Sequence, residues 1–239
     1  MSQPLVSLPP NFRSPQQILH DLAIQTPSEI RLEAIAEHCG ATIVMEPLEG
    51  SDARLVGYRS RAIITVNSAS PFFRQRFSAA HELGHWMWDR GKMSFRCQDK
   101  DYDGNVEMDG SERRANRYAV ELLLPEHMFL PLLECHSLSL ESAEFFSNAF
   151  RTSLVATAIR MVELTELPAV LIYAEGKKRK WYIRSKTVSR DLKLKHETPA
   201  EPQNWCLALP EPLDDLLLLA ERRDLENRAS LSLLVFAEQ

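Results

Sequence analysis

The run Pro71-Phe72-Phe73-Arg74-Gln75-Arg76-Phe77-Ser78-Ala79-Ala80-His81-Glu82-Leu83-Gly84-His85-Trp86-Met87-Trp88 contains an H-E-x-x-H pentad, and its reading decides the fold. Two histidines four positions apart on a helix lie about 40° apart around the axis and ~6 Å along it, so both imidazoles can face one metal ion. Glu82 then stands beside that ion and not on it, where a carboxylate can take a proton from an attacking water. Upstream, Arg61-Ala62-Ile63-Ile64-Thr65-Val66-Asn67 reads as a β-branched strand. Ser68-Ala69-Ser70-Pro71 follows as a turn with a capping serine and a proline suited to the first helical position. The spacing predicts a helix from about Pro71 to Trp88. Phe77, His81, His85 and Trp88 share one face, and Phe73, Ala80, Leu83 and Met87 lie on adjoining rows. Gly84 costs such a helix roughly 1 kcal/mol relative to alanine, which is tolerable where another backbone or a substrate approaches closely.

A hydrolytic site needs a third protein ligand and leaves a fourth position for water. Downstream candidates are Glu107, Asp109, Glu112, Glu121, Glu126 and His127. Ser111 is placed as the cap of a helix running from Glu112 to Leu124 and stopping near Pro125. Glu112 shares a face with Ala115, Ala119, Leu122 and Leu123, small and apolar residues that would let this helix pack close to the histidine helix. Glu121 falls about 180° away, with Arg113 and Arg117, where an i,i+4 ion pair on a solvated face is expected. Helical phase therefore selects Glu112. Asn116, one turn on, reads either as a hydrogen-bonding group behind a ligand or as a plain polar helix residue.

Arg76-Phe77-Ser78-Ala79-Ala80-His81-Glu82-Leu83-Gly84-His85 and Glu112-Arg113-Arg114-Ala115-Asn116-Arg117-Tyr118-Ala119-Val120-Glu121-Leu122-Leu123-Leu124-Pro125 together resemble the two signature blocks of the ImmA/IrrE metallo-endopeptidases. That pattern is R-F-[ST]-x-A-H-E-x-x-H followed by E-x-x-A-N-x-F-A-x-x-L-L-M-P. Tyr118 stands in place of the usual Phe and Leu124 in place of the usual Met, changes that conserve volume. The likeness extends more loosely from Ile30 to Arg184. It implies metal ligands at His81, His85 and Glu112 and a general base at Glu82. It also implies a substrate: a helix-turn-helix (XRE-like) repressor, cut so that the genes it silences are released.

The chain has 239 residues, 44% of them hydrophobic, with only eight glycines, which is enough for a well-buried core and argues against extensive disorder. There is no signal-peptide pattern and no 18-residue apolar stretch, so a cytosolic location without membrane contact is expected. Cys39, Cys97, Cys135 and Cys206 form no C-x-x-C pair and read as reduced thiols, Cys97 being at most a weak ligand candidate. The stretch Gly91 to Gly110 holds Asp99, Asp101, Asp103 and Gly104 but lacks the terminal Glu of a calcium loop, so it reads as an acidic loop. Nothing here fixes an oligomeric state.

Along the chain, an extended lead-in precedes helices near Gln16–Ile24 and Ser28–Cys39, the second ending at Gly40. Strands at Ala41–Met45, Leu55–Tyr58 and Arg61–Asn67 would form a small sheet beside the histidine helix, and a free outer edge there could take up an extended peptide. Helices at Pro125–Glu134, Ser139–Phe150 and Ser153–Leu164 follow, then strands Ala169–Ala174 and Trp181–Ser185. The last two helices, joined at Phe150-Arg151-Thr152-Ser153, are compatible with a helix-turn-helix carrying a winged hairpin, or with a plain helical pair. Lys177 to Lys195 holds nine basic residues and one acidic one, a local net of +8 that suggests docking to an acidic protein surface or to DNA. A linker at Thr198–Pro202, a helix at Leu213–Ala220 and a strand at Leu231–Phe236 complete the chain.

These readings give an α+β fold: a zincin-like core with a small mixed sheet and an active-site helix, then a helical and β-hairpin C-terminal region. The expected segments are an N-terminal lead-in and helix (1–29), the metallopeptidase core (30–133), the helical pair with basic hairpin (134–190) and a small C-terminal region (191–239). The expected chemistry is peptide hydrolysis with one Zn2+, or another divalent ion such as Mn2+. Tyr58, His127 and His136 are the available oxyanion donors. The alternatives are a metal-sensing DNA- or protein-binding regulator without peptidase activity, and a zinc hydrolase of small substrates. A structural metal site has no use for a base at Glu82, which favours hydrolysis.

Overall fold

A computed structural model describes residues 9, 11–89, 110–176, 178–188 and 217–237. Glu107, Asp109, Cys97, Cys206, the stretch 91–109, the Thr198–Pro202 linker, Lys177 and residues 189–195 lie outside the described residues. Seven α-helices and seven strands occur among those described. They divide into two compact units, one from the N-terminal side through Met128 with the turn Phe150–Thr152, the other from Phe129 onward.

In the first unit, α1 (Pro15–Asp21) and α2 (Leu32–His38) precede β1 (Ala41–Glu46), β2 (Ala53–Tyr58) and β3 (Arg61–Asn67). The expected helix over Ser28–Cys39 is broken: Pro27–Glu29 is a 3-10 turn, because the Glu29 carboxylate accepts from the backbone N–H groups of Gln25 and Thr26. These bonds hold the Glu29 carboxyl below the usual carboxylate range. The sheet order is β1-β3-β2, with β1 parallel and β2 antiparallel to β3, a small mixed sheet as expected. On β3 the burial alternates, Ala62, Ile64 and Val66 being buried, so one face of this short sheet carries the core.

The long helix α3 (Phe72–Asp89) lies against all three strands. Ala80, Leu83 and Met87 are buried there, following the helical period of the sequence. Trp86 fixes the far half of the helix by donating its indole N–H to the Cys39 carbonyl at 2.9 Å. Gly57 on β2 makes room for that indole, since a Cβ at this position would come within 2.8 Å of the ring. Next comes α4 (Gly110–Leu123), which packs along α3. Ser111 lies inside its first turn, so the expectation that Ser111 caps this helix is corrected; its hydroxyl is turned to other partners.

The second unit holds most of α5 (Glu126–Glu134), then α6 (Leu140–Phe150), α7 (Leu154–Leu164) and a four-stranded antiparallel sheet. The strands are β4 (Ala169–Glu175), β5 (Lys178–Arg184), β6 (Leu217–Asp224) and β7 (Ala229–Phe236), in the order β5-β4-β7-β6. All eight residues of β7 are buried, Ser230 and Ser232 together with the apolar Ala229, Leu231 and Leu233–Phe236. Two expectations are corrected here. Leu217–Asp224 is an edge strand and not the end of a Leu213–Ala220 helix: pairing with β7 (Leu219 with Val235, Glu221 with Leu233) overrides the helical propensity of its leucines and alanine. The second hairpin strand starts at Lys178, so the basic residues there belong to β5 and not to a loop. No described helix is long and apolar enough to cross a membrane.

Candidate metal centre

One glycine determines how closely the two helices of the site approach. A Cβ on Gly84 would stand 3.0 Å from Tyr118 Cβ and 3.1 Å from both Cα and the carbonyl oxygen of Ala115. The glycine that weakens α3 as an isolated helix is the residue that lets α4 touch its backbone. Ala115 and Ala119 are fully buried on the facing side of α4. Glu112, three residues before Ala115, is carried by this contact to the two histidines.

The result is a three-cornered group. His81 Nε2 and His85 Nε2 are 3.1 Å apart. Glu112 Oε2 is 3.3 Å from the first and Glu112 Oε1 is 3.3 Å from the second. For ligands about 2.0–2.1 Å from a tetrahedral ion, ligand atoms stand roughly 3.3–3.4 Å from one another. Each histidine nitrogen is at that distance from one Glu112 oxygen, and one ligand atom from each of the three residues lies within 4.8 Å of the others, a spacing that a single ion can bridge. His81, His85 and Glu112 are also the one such group of metal-ligating side chains among the described residues.

The outer nitrogens explain why the inner ones point this way. Asn116 Oδ1 lies 2.8 Å from His81 Nδ1 and accepts its N–H, which settles the role that sequence left open for Asn116. Ser111 Oγ is 3.4 Å from His85 Nδ1 and donates to Asp89 Oδ2 at 3.2 Å. With both protons on Nδ1, both Nε2 lone pairs converge with an anionic carboxylate. Three electron pairs at such separations repel unless a cation lies among them, a proton or a metal ion, so the donor set fits a divalent ion.

Where a proton is that cation, the histidines donate through Nε2 to Glu112. Burial works to lower the His85 pKa, but the hydrogen bond to Glu112 and the charges of Glu82, Glu112 and Asp89 outweigh it and raise the pKa above its ordinary value. Hydrogen bonds from His81 and His85 hold the Glu112 carboxyl far below the usual range, against a smaller opposing effect of burial. Glu82 is 1% exposed on the same helix, between the two histidines in sequence.

The other expected residues fall elsewhere. Arg117 donates to Glu121 at 2.8 Å on the outer face of α4, the i,i+4 pair that phase anticipated. Glu126 and His127 are exposed and outside the three-cornered group. Tyr58 is 71% exposed beneath the Arg59 guanidinium. His136 belongs to the second unit, where its Nδ1–H donates to the Leu132 carbonyl and its ring stacks on Phe145. The hydroxyl that distinguishes Tyr118 from the usual phenylalanine donates to the Arg13 carbonyl at 3.1 Å. Sequence reading missed Asp89 and Ser111. Asp89 was detectable as the residue one turn beyond His85, and Ser111 as the neighbour of Glu112.

Residues 36–162 match the family described as the IrrE N-terminal-like domain, Peptidase M78, which is more than half of the chain. The chain belongs to the Peptidase M78 family. Its H-E-x-x-H pentad and the His81, His85, Glu112 group are consistent with that membership. Eleven solved chains are similar to this M78 protein. One is a Mycobacterium tuberculosis transcriptional regulator, 12% identical, with a TM-score of 0.58 over 93% of this chain and 75% of that one. At that identity the likeness concerns the fold alone. No curated protein matches.

Proposed function

We propose that this M78 protein is a zinc-dependent endopeptidase that cuts a helix-turn-helix repressor and so relieves repression. The observation that carries the reading is the three-cornered donor group with a buried glutamate one residue along α3 from His81. His81 Nε2, His85 Nε2 and the Glu112 carboxylate would hold the ion. Bound there, the ion supplies a Lewis acid that polarises a peptide carbonyl and acidifies water.

The chain's own groups do the rest. Asn116 and Ser111 fix the imidazole tautomers, keeping both lone pairs turned inward. Glu82 accepts a proton from the attacking water as its oxygen adds to the carbonyl carbon. It returns that proton to the amide nitrogen as the C–N bond breaks, leaving a carboxylate and an amine. Burial of Glu82 keeps bulk water from competing for that proton.

The regulator alternative finds support in the Mycobacterium tuberculosis neighbour, a transcriptional regulator of similar fold. Against it, Glu163 is the one fully exposed residue of α7, Leu154, Val155, Ala156 and Ile159 are half-buried, and Arg160 is buried in an ion pair with Glu163. A helix that reads DNA needs an accessible polar or basic face able to meet phosphates and base edges, whereas the partly exposed residues of α7 are apolar and its exposed one is acidic. The test is to incubate the zinc-loaded protein with the helix-turn-helix repressor encoded nearest to it. A discrete cut that a chelator abolishes is the expected result. An intact repressor in the presence of fully zinc-loaded protein would overturn the assignment of that substrate.

A further inference from the structure

We propose that Asp89, acting through Ser111, is a positioning residue for His85, and that the same hydrogen bond registers the Glu112 end of α4 on α3. This inference rests on the metal-site reading above. Asp89 lies one turn beyond His85 on α3 and is only 6% exposed. A buried carboxylate is costly unless it is hydrogen-bonded, so its presence needs a use. The Ser111 hydroxyl donates to Asp89 Oδ2 at 3.2 Å and lies 3.4 Å from His85 Nδ1, whereas Asp89 itself stays 3.9 Å from that nitrogen.

The direction of the chain of bonds follows from proton counting. A serine hydroxyl has one proton and accepts through its lone pairs. With that proton given to Asp89, which as a carboxylate only accepts, Ser111 meets His85 as an acceptor. Nδ1 of His85 must then carry its proton, and Nε2 must present its lone pair to the three-cornered group. Asp89 thus sets the tautomer of a histidine from which it stands a serine apart.

The second consequence is mechanical. Ser111 adjoins Glu112 on α4, while Asp89 and His85 belong to α3. The Ser111–Asp89 bond and the Gly84–Ala115 contact therefore pin α4 at successive turns, on either side of Glu112 in sequence. The two histidines also differ: His81 rests on a neutral amide, whereas His85 has a carboxylate behind its hydroxyl.

The test uses the full chain with Ser111→Ala, Ser111→Thr and Asp89→Asn. Zinc affinity is read by competition with a chromophoric chelator, the visible spectrum is read with Co2+ in place of zinc, and thermal midpoints are read without metal. Ser111→Ala and Asp89→Asn should each weaken zinc binding about 10–100-fold. Ser111→Thr, which keeps the hydroxyl, should restore most of the affinity and the Co2+ spectrum. If Ser111→Ala binds zinc like the unaltered chain, or Ser111→Thr is as weak as Ser111→Ala, Ser111 is a packing residue and the inference fails. An Asp89→Asn variant of unaltered affinity would overturn the role of the carboxylate. Should Ser111→Ala fail to fold, Ser111→Thr and Asp89→Asn decide by the same criteria. Absence of zinc binding by the unaltered protein would instead sink the metal reading itself, a result that depends on no substitution.

Discussion

Gly84→Ala is the smallest change that reaches the metal centre without touching a ligand. The new Cβ would meet Tyr118 Cβ at 3.0 Å and Ala115 Cα and its carbonyl oxygen at 3.1 Å. Ordinary carbon contacts settle at about 3.5–4.0 Å. Two of the three obstructing atoms are backbone, so no rotamer change relieves them and α4 must retreat by a few tenths of an ångström. Overpacking of this kind costs about 1–3 kcal/mol, offset by the ~1 kcal/mol that alanine contributes over glycine within a helix. The folding stability of the metal-free protein should therefore fall by no more than ~2 kcal/mol. Metal affinity should suffer more, because Glu112 moves with Ala115 and a metal site tolerates only about ±0.2 Å in ligand distances. A displacement at or beyond that tolerance predicts a ~10–100-fold loss of zinc affinity, or about 1.4–2.8 kcal/mol. Thermal melting without metal and chelator competition with zinc separate the two effects. An alanine variant that binds zinc as tightly as the unaltered chain would show that the close approach of α3 and α4 does not set the geometry of the site.

Glu112→Ala should abolish tight zinc binding, whereas Glu121→Ala, which loses only an exposed pair with Arg117, should cost at most about 1 kcal/mol in a melting experiment; the reverse order would mean that the ligand has been misassigned. Zinc affinity should fall as pH drops through the raised pKa of His85, starting above the ordinary histidine range near ~6.5, because protons compete for the same lone pairs. In the metal-free protein the sign is opposite, since protonated His85 contributes stability below its ordinary pKa that is lost as pH rises through the raised one. Competition titrations and melts across this range check both, and a flat affinity would contradict the first. Charge reversal at Lys178, Arg179 and Lys180 on the edge strand β5 should slow repressor cleavage, most at low salt, with zinc content unchanged. If DNA binding by the isolated protein disappears in that variant instead, the regulator reading gains.

The parts of the site that were legible in sequence are those fixed by local periodicity. His81, His85 and Glu82 share one helix whose preceding strand and turn were readable. The expected serine cap is not formed, the Ser70 hydroxyl donating to Asp52 and the helix beginning at Phe72. Helical phase alone separated Glu112 from Glu121. Gly84 was legible as a cost that demanded a close neighbour, although nothing local identified the neighbour as Ala115. Asp89 and Ser111 stayed hidden because their meeting is a contact between two helices, which no spacing rule predicts. Leu217–Asp224 was misread for a related reason: its leucines and alanine favour a helix, and only pairing with β7 makes it a strand. The start of β5 was lost because Lys178, Arg179 and Lys180 carry no apolar alternation and rely on β4 for their conformation.

The central claim is that three side chains hold the ion while a fourth, Glu82, handles the proton. Zinc content and peptide cleavage measured on the same preparation of Glu82→Gln test this most directly. Zinc bound as in the unaltered chain, with cleavage reduced by several orders of magnitude, is the predicted result, because the substitution removes a base and no ligand. Retained cleavage would contradict the mechanism, and loss of zinc would mean that Glu82 belongs to the metal's own support.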